Sequence, residues 1–271
     1  MDTLASYISN RIKIVFFDID GTLVGLKSQK MTPATMAALE ALKSKGIIRC
    51  IATGRHALDT AALNLPDFDA YIYTNGASCV IENQLMYKKL IPKDDIDRLV
   101  HYLQGDDRFP CVIETADNTY LNYEDPFVIQ LQNDLVIRHP VVLPFEQWIE
   151  KAGEGVEQLL CFVPHSFDSR MINEILPGCM TKRWCPYFTD VIEKSCDKLH
   201  GIRTVLKHYG FKKSEAMSFG DGGNDIQMLQ GCGIGVAMGS AAKHVHDAAC
   251  FVTAPADGDG ILKALRYYGV L

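Results

Sequence analysis

Along the first eighty residues, short apolar runs stop abruptly at polar, glycine-containing loops. Ile12 to Phe17 (IKIVFF) ends at Asp18, Asp20 and Gly21, Ile47 to Ala52 (IIRCIA) at Thr53-Gly54-Arg55, and Tyr71 to Tyr73 at Thr74-Asn75-Gly76. Runs of this kind predict buried parallel strands whose carboxyl ends meet solvent. Between the first two, Thr32-Pro33 supplies an N-cap and a proline at the first helical position. Met36, Leu39 and Leu42 then recur at helical spacing, and Gly46 marks the stop. Alternating strand and helix implies βαβ units, a parallel sheet with helices on both faces, and a ligand site along the carboxyl edge of the strands.

From about Val80 the pattern changes. Glu82-Asn83-Gln84 separates two short strand-like runs, and Asp117-Asn118 separates CVIET from TYLN. Helical stretches near Asp94 to Leu103 and Asp168 to Leu176 alternate with strands near Leu159 to Val163, Cys179 to Trp184 and Phe188 to Ile192. The first pattern then resumes with a helix over Lys198 to Tyr209, the strand AMSF, the loop Gly220 to Asp225 and the strand IGVA. A short strand near Cys250 to Val252 and a helix from Gly258 to Tyr268 close the chain. The expected organisation is an α/β fold. A discontinuous Rossmann-like three-layer core with a parallel sheet (residues 1–83 and 191–271) carries an inserted α/β domain (residues 84–190).

Composition narrows the partners. With 48% hydrophobic and 22% charged residues over 271 positions, the chain reads as an ordinary globular protein. A net charge of −6 without a Lys/Arg run argues against a nucleic-acid binder. No apolar run approaches the roughly 20 residues of a membrane span, and the start MDTLASYISNR lacks a signal-like apolar core, so no membrane partner and a cytoplasmic location are expected. The nine cysteines are odd in number and lack any Cys-x-x-Cys pair, which suits buried reduced thiols. His244-x-His246 has no further ligands nearby, and no histidine falls in the polar loops.

The strongest constellation is Asp18-Ile19-Asp20-Gly21-Thr22. One ionised carboxylate there is a competent nucleophile toward phosphorus, and the second can protonate a leaving oxygen and later deprotonate water. Taken alone, an Asp-x-Asp is equally a turn. Gly220-Asp221-Gly222-Gly223-Asn224-Asp225 follows another apolar strand and offers hard oxygen ligands suited to magnesium. Thr53-Gly54 offers a hydroxyl and an unhindered N–H, and Lys198 an ammonium, together a cradle for phosphate oxygens.

In order, DIDGT, TGR, a lysine before a helix, and GDGGND resemble the four motifs of the haloacid dehalogenase superfamily. The large insertion and Asn75-Gly76-Ala77 resemble its Cof-like phosphatase branch, whose α/β cap covers the active site. The resemblance implies a Mg2+-dependent phosphatase that acts on small phosphorylated metabolites, sugar phosphates foremost, through a phospho-aspartate. It implies Asp18 as nucleophile and Asp20 as acid/base, with Thr53, Gly54 and Lys198 on the phosphate. The metal would be held by Asp18, the Asp20 main-chain oxygen and Asp221, with Asp225 and Asn224 supporting that shell. Arg55 and Asn75 fall at positions near the substrate. Ser240 departs from the asparagine usual in the family, outside the four motifs. A phosphotransferase or phosphomutase of the same superfamily and a non-hydrolytic phospho-acceptor signalling or binding domain are the alternatives. Arg183, Trp184, Tyr187 and Asp190, in the last strands of the insertion, are candidates to touch a leaving group, with ordinary strand and turn roles the simpler reading.

Overall fold

The structure is a computed structural model of the chain and describes residues 11–26, 28–135 and 138–271. In chain order the strands are β1 (Ile14–Phe17), β2 (Ile48–Ala52), β3 (Ala70–Tyr73), β4 (Ser78–Ile81), β5 (Gln84–Lys88), β6 (Cys111–Glu114), β7 (Thr119–Leu121), β8 (Val141–Val142), β9 (Gln158–Cys161), β10 (Cys179–Cys185), β11 (Phe188–Glu193), β12 (Ala216–Gly220), β13 (Ile234–Ala237) and β14 (Phe251–Val252). Two compact units form. One comprises the described residues up to Gly54, Pro66–Met86 and Asp197–Leu271; the other comprises Arg55–Leu65 and Tyr87–Cys196. Against the expected insertion at 84–190, Gln84–Met86 group with the first unit, and Val191–Cys196 and the separate segment Arg55–Leu65 group with the second.

The first unit is built on a sheet of order β14-β13-β12-β1-β2-β3-β4-β5. β1 lies between β12 and β2 and is parallel to both, with Ile14 opposite Ala216 and Ile48. All four β1 residues are fully buried, which requires cover on both faces of the sheet. Phe17 and Phe219, neighbours across β1 and β12, stack at 5.4 Å. The helix Pro33–Ser44 starts where the sequence expects: the Thr32 hydroxyl accepts from the Thr35 N–H and donates to Asp259. It packs against the helix Gly260–Tyr267, while Lys198–Tyr209 packs against Ile226–Gly231. The expected parallel sheet is present, and antiparallel strands extend it at one edge. β4 returns along β3, and Glu82-Asn83, both at positive φ, close a two-residue turn into β5.

The second unit is a sheet of order β10-β11-β9-β6-β7-β8. The helices Lys93–Leu103 and Phe145–Glu154 pack on one face over Leu99, Ile113, Trp148 and Leu159, and the Trp148 indole N–H donates to the Tyr120 carbonyl. The sequence reading did not expect Phe145–Glu154, although Phe145, Trp148, Ile149 and Ala152 carry the i, i+3, i+4, i+7 spacing of an amphipathic helix. It also missed Pro126–Leu135. The single helix expected over Asp168 to Leu176 is a short turn, Asp168–Arg170, that widens into a π-helical turn over Met171–Ile175. Eight described cysteines are free, and all but Cys250 are buried. No described helix is long and apolar enough to cross a membrane.

Candidate active site

In the first unit, the polar loops that follow β1, β2, β3 and β12 bring most of the sequence candidates together. Asp18 stands one residue past β1, with its N–H donating to the Phe219 carbonyl of β12, so the strand pairing itself fixes where its side chain begins. The chain then turns sharply: Leu23 and Val24 N–H both donate to the Ile19 carbonyl, and Asp20 pairs with Val24. Gly21 makes the turn possible, since φ is +76° and a Cβ there would sit 2.1 Å from Asp221 Oδ2. The first loop is thereby pressed against the last one.

Lys198 is the hub. Placed at the first position of its helix by the Asp197 cap, its ammonium is fully buried and donates to Asp18 Oδ1 at 2.7 Å and Asp225 Oδ1 at 2.6 Å. Asp225 is fully buried too, and its Oδ2 accepts from the Asp221 and Gly222 N–H groups, each at 2.9 Å. Asp221 accepts from the Thr22 hydroxyl at 3.3 Å. The sequence reading gave Thr22 no role, and its signal is a hydroxyl directly after the Asp-x-Asp-Gly turn.

The electrostatics follow from this crowding. Burial raises the pKa of Asp18 well above the usual carboxylate range; Lys198 opposes the rise, and Asp225, Asp221 and Asp20 add to it. Asp221 is pushed up to about 7, by burial and then by Asp225. Burial disfavours the Lys198 ammonium, but Asp18 and Asp225 outweigh that and raise its pKa.

One carboxylate oxygen from each of Asp18, Asp221 and Asp225 lies within 4.8 Å of the other two. Three carboxylates around a single ammonium leave an excess of buried negative charge, and all the donors are hard oxygens, so the set fits a divalent cation such as magnesium. Asp225 is engaged by three protein donors, which makes Asp18 and Asp221 the oxygens better placed to bind one.

Around this centre, buried Thr53 directly follows β2, and its N–H donates to the Ile72 carbonyl. Asn75 is buried beside it, with its N–H on the Thr53 carbonyl and its side-chain oxygen accepting from Asn224 Nδ2 at 3.0 Å. Gly54 is bare where a Cβ would come 3.1 Å from the Asn75 amide. Arg55, directly after Gly54, is half-buried and opens the segment that groups with the second unit. The catalytic, phosphate and metal candidates other than Arg55 therefore share one unit.

The second unit carries a polar patch of its own. Strand alternation puts Glu114, Thr119, Gln158 and Asp190 on the same side as the apolar Val112, Leu121, Leu160 and Phe188, and all eight are buried. Gln158 donates to Glu114, and Arg138 spans Asp59 at 3.0 Å and Thr119 at 3.5 Å. Glu114 titrates well above its usual value, chiefly through burial and then through Asp59, Asp190 and Glu157. The sequence reading singled out Asp190 but missed Asp59 and Glu114. The signal for Glu114 was a carboxylate in phase with the apolar positions of a buried strand, whereas Asp59 lies in the short helix Ala57–Ala61 and had no such signal. Of its other candidates here, Arg183 ties down its own neighbourhood, donating to Asp168 and to the Val163 and Phe188 carbonyls. Tyr187 is exposed and packs edge-on against Phe127, and the Trp184 side chain lies outside the described residues.

His56 closes this unit's outlying segment. Its Nδ1 accepts from the Leu58 N–H as a helix cap, which leaves Nε2–H to donate to the Thr115 carbonyl at 2.9 Å. Burial, the dominant cause, lowers its pKa from 6.5, although Glu157 and Asp59 pull the other way. The fold thus favours the neutral ring. Its contribution to stability is complete above about pH 6.5 and is lost as pH falls through the depressed value. A His56→Asn variant keeps a cap acceptor and removes the titration. Its melting temperature is expected to fall less between pH 7 and pH 5 than the parent's, and equal slopes would count against this account.

Residues 15–265 match the family model of haloacid dehalogenase-like hydrolases. The Bacillus subtilis (strain 168) protein YkrA, whose name proposes a phosphatase, is 32% identical over 96% of this chain and 98% of its own length. An HMP-PP phosphatase of Shigella flexneri serotype 5b is 29% identical over 84% of this chain and 85% of its own. Among solved structures, a subclass IIB sugar phosphatase of the superfamily shares 35% identity with a TM-score of 0.84, over 96% of this chain and all of that one. With the four polar loops arranged as described, the chain belongs to the haloacid dehalogenase-like hydrolases, within their Cof-like phosphatases.

Proposed function

We propose that this enzyme hydrolyses small phosphorylated metabolites, sugar phosphates foremost, through a phospho-aspartate on Asp18, with Mg2+ as cofactor and in the cytoplasm. The observation that carries this reading is the Lys198 ammonium held between Asp18 and Asp225, with Asp221 completing the acidic group. It gives a nucleophilic carboxylate a cation beside the phosphoryl group it attacks. The names of the sugar phosphatase and the HMP-PP phosphatase support a small phosphorylated substrate.

In this reading an oxygen of Asp18 attacks phosphorus in line while the bond to the leaving oxygen breaks, and Asp20 gives that oxygen its proton. Asp20 then takes a proton from water as the water oxygen attacks phosphorus, releasing inorganic phosphate and restoring the Asp18 carboxylate. Lys198, the Thr53 hydroxyl and the Gly54 N–H hold the non-bridging phosphate oxygens, with Arg55 adjacent. Asp18, the Asp20 main-chain oxygen and Asp221 would hold the metal, with Asp225 and Asn224 behind them. When bound, the metal screens the repulsion between carboxylate and phosphate and stabilises charge on the transferring group. The polar patch of Glu114, Asp190, Asp59 and Arg138 makes the second unit the candidate to select the leaving group.

The test is phosphate release from a panel of sugar phosphates, nucleotides and an aryl phosphate, each with magnesium and with excess chelator. Release that depends on magnesium and favours one group of substrates is expected. A panel silent in both conditions rejects the proposal, and a phosphorylated isomer in place of free phosphate would identify a phosphotransferase.

A further inference from the structure

We propose that the turn Thr74–Asn75–Gly76, outside the four motif loops, is the positioning element that sets Lys198 and the Gly222–Asp225 loop in register with Asp18. The proposal rests on the phosphatase reading for its kinetic test. Within it, Asn75 acts through Asn224 and not on the substrate.

The backbone first marks this turn. Thr74, Asn75 and Gly76 take successive φ values of +49°, +52° and +97°. Asparagine and glycine tolerate that region, but a β-branched threonine does so only at a steric cost. Thr74 is also fully buried, and its hydroxyl has no hydrogen-bond partner. Joining β3 to the antiparallel β4 does not demand such a conformation, because ordinary hairpin turns place glycine or asparagine where φ is positive. Strain of this kind persists where the surroundings over-determine it, and it clusters at functional sites.

The contacts show what the conformation provides. The Asn75 N–H donates to the Thr53 carbonyl, tying the turn to the loop after β2. The Asn75 side-chain oxygen accepts from Asn224 Nδ2 at 3.0 Å, tying it to the loop after β12. Gly76 lies against the residue that precedes Lys198: a Cβ there would fall 2.1 Å from the Asp197 carbonyl oxygen. Asp197 in turn caps the Lys198 helix, its Oδ1 accepting from the His200 N–H at 2.7 Å. Three of the four motif segments therefore meet on two adjacent residues, Asn75 and Gly76, and the fourth is reached through Lys198 and Asp18. A phosphoryl-transfer site depends on the placement of its groups to within a fraction of an ångström, so a turn that fixes Lys198 and Asn224 fixes the rate.

The experiment is a double-mutant cycle on Asn75→Ala and Asn224→Ala, following magnesium-dependent release from an aryl phosphate and from the best sugar phosphate. Each single variant is expected to lower kcat about tenfold or more with KM within about twofold. The loss should be equal for the two leaving groups, and the double variant should be no worse than the poorer single. Losses that multiply in the double variant, or that lie in KM and change with the leaving group, would place Asn75 on the substrate and overturn the proposal. A crystal structure of Asn75→Ala gives a reading without turnover, so it stands even if the wild type releases no phosphate. Asn224 and the Gly222–Asp225 loop are expected displaced relative to Asp18, and an unmoved loop rejects the positioning role. Gly76→Ala, if it folds, should lower kcat at least as far as Asn75→Ala, and full activity in that variant also rejects it.

Discussion

Asp18→Asn is expected to reduce phosphate release at least about 10³-fold while leaving the melting temperature in chelator unchanged or higher. The two halves of this result have one origin. An amide nitrogen or oxygen in place of the carboxylate cannot form the phospho-aspartate, so the covalent route closes. Yet Asp18 is a buried carboxylate beside Asp221, Asp225 and Asp20 with one ammonium among them, and an isosteric neutral group relieves that crowding. Sites built for chemistry are often stabilised when a charged member is neutralised. The check is a progress curve with magnesium alongside a thermal melt in chelator. A variant keeping a tenth of the parent rate would remove Asp18 from the nucleophile's role. One that melts well below the parent would show that Asp18 pairs with Lys198 more favourably than the crowding allows.

Lys198→Met should behave in the opposite sense for stability. The ammonium is completely buried, and its removal leaves Asp18 and Asp225 facing each other without a cation. Breaking a buried ion pair by deleting one partner costs roughly 3–5 kcal/mol, and methionine fills the space without restoring charge. Turnover should fall by about 10²–10³-fold, the range seen when a preorganised donor to a reacting group is lost. Lys198→Arg is expected to rescue neither property, because a planar guanidinium cannot enter the pocket of a single ammonium. Combining Lys198→Met with Asp18→Asn should recover part of the lost stability, since one of the two stranded charges is then gone. Urea unfolding of the four proteins in chelator measures this, and a Lys198→Met protein within about 1 kcal/mol of the parent would contradict the buried hub.

The site was legible in the sequence to the extent that its residues sit at strand ends. Asp18, Thr53, Asn75 and Asp221 each follow an apolar run that stops, and a parallel sheet gathers such stops along one edge. The helix expected over Lys198 to Tyr209 forms over those residues. What periodicity did not carry was anything set by contacts between distant segments. The positive φ of Thr74 runs against the residue's own preference, and it occurs where the next two residues, Asn75 and Gly76, lie against Thr53, Asn224 and Asp197. The segment Arg55–Leu65 falls within the expected core range but groups with the second unit, where the His56 ring meets the Thr115 carbonyl. The antiparallel edge formed by β4 and β5 looked like the start of the insertion because a hairpin signal says nothing about which sheet it joins.

The place of β1 at the middle of its sheet has a bearing on how the protein is made. One of its neighbours, β2, follows within a few dozen residues, but the other, β12, pairs with it from about 200 residues further along. At ordinary synthesis speeds that interval is about 10–40 s, during which one backbone edge of β1, a strand of wholly apolar side chains, lacks its partner. The intervening unit, most of whose length is a single continuous stretch, is free to complete itself first. The nascent protein is thus expected to carry a finished insertion on an unfinished catalytic sheet, and to depend on chaperones in that interval more than its final stability would suggest.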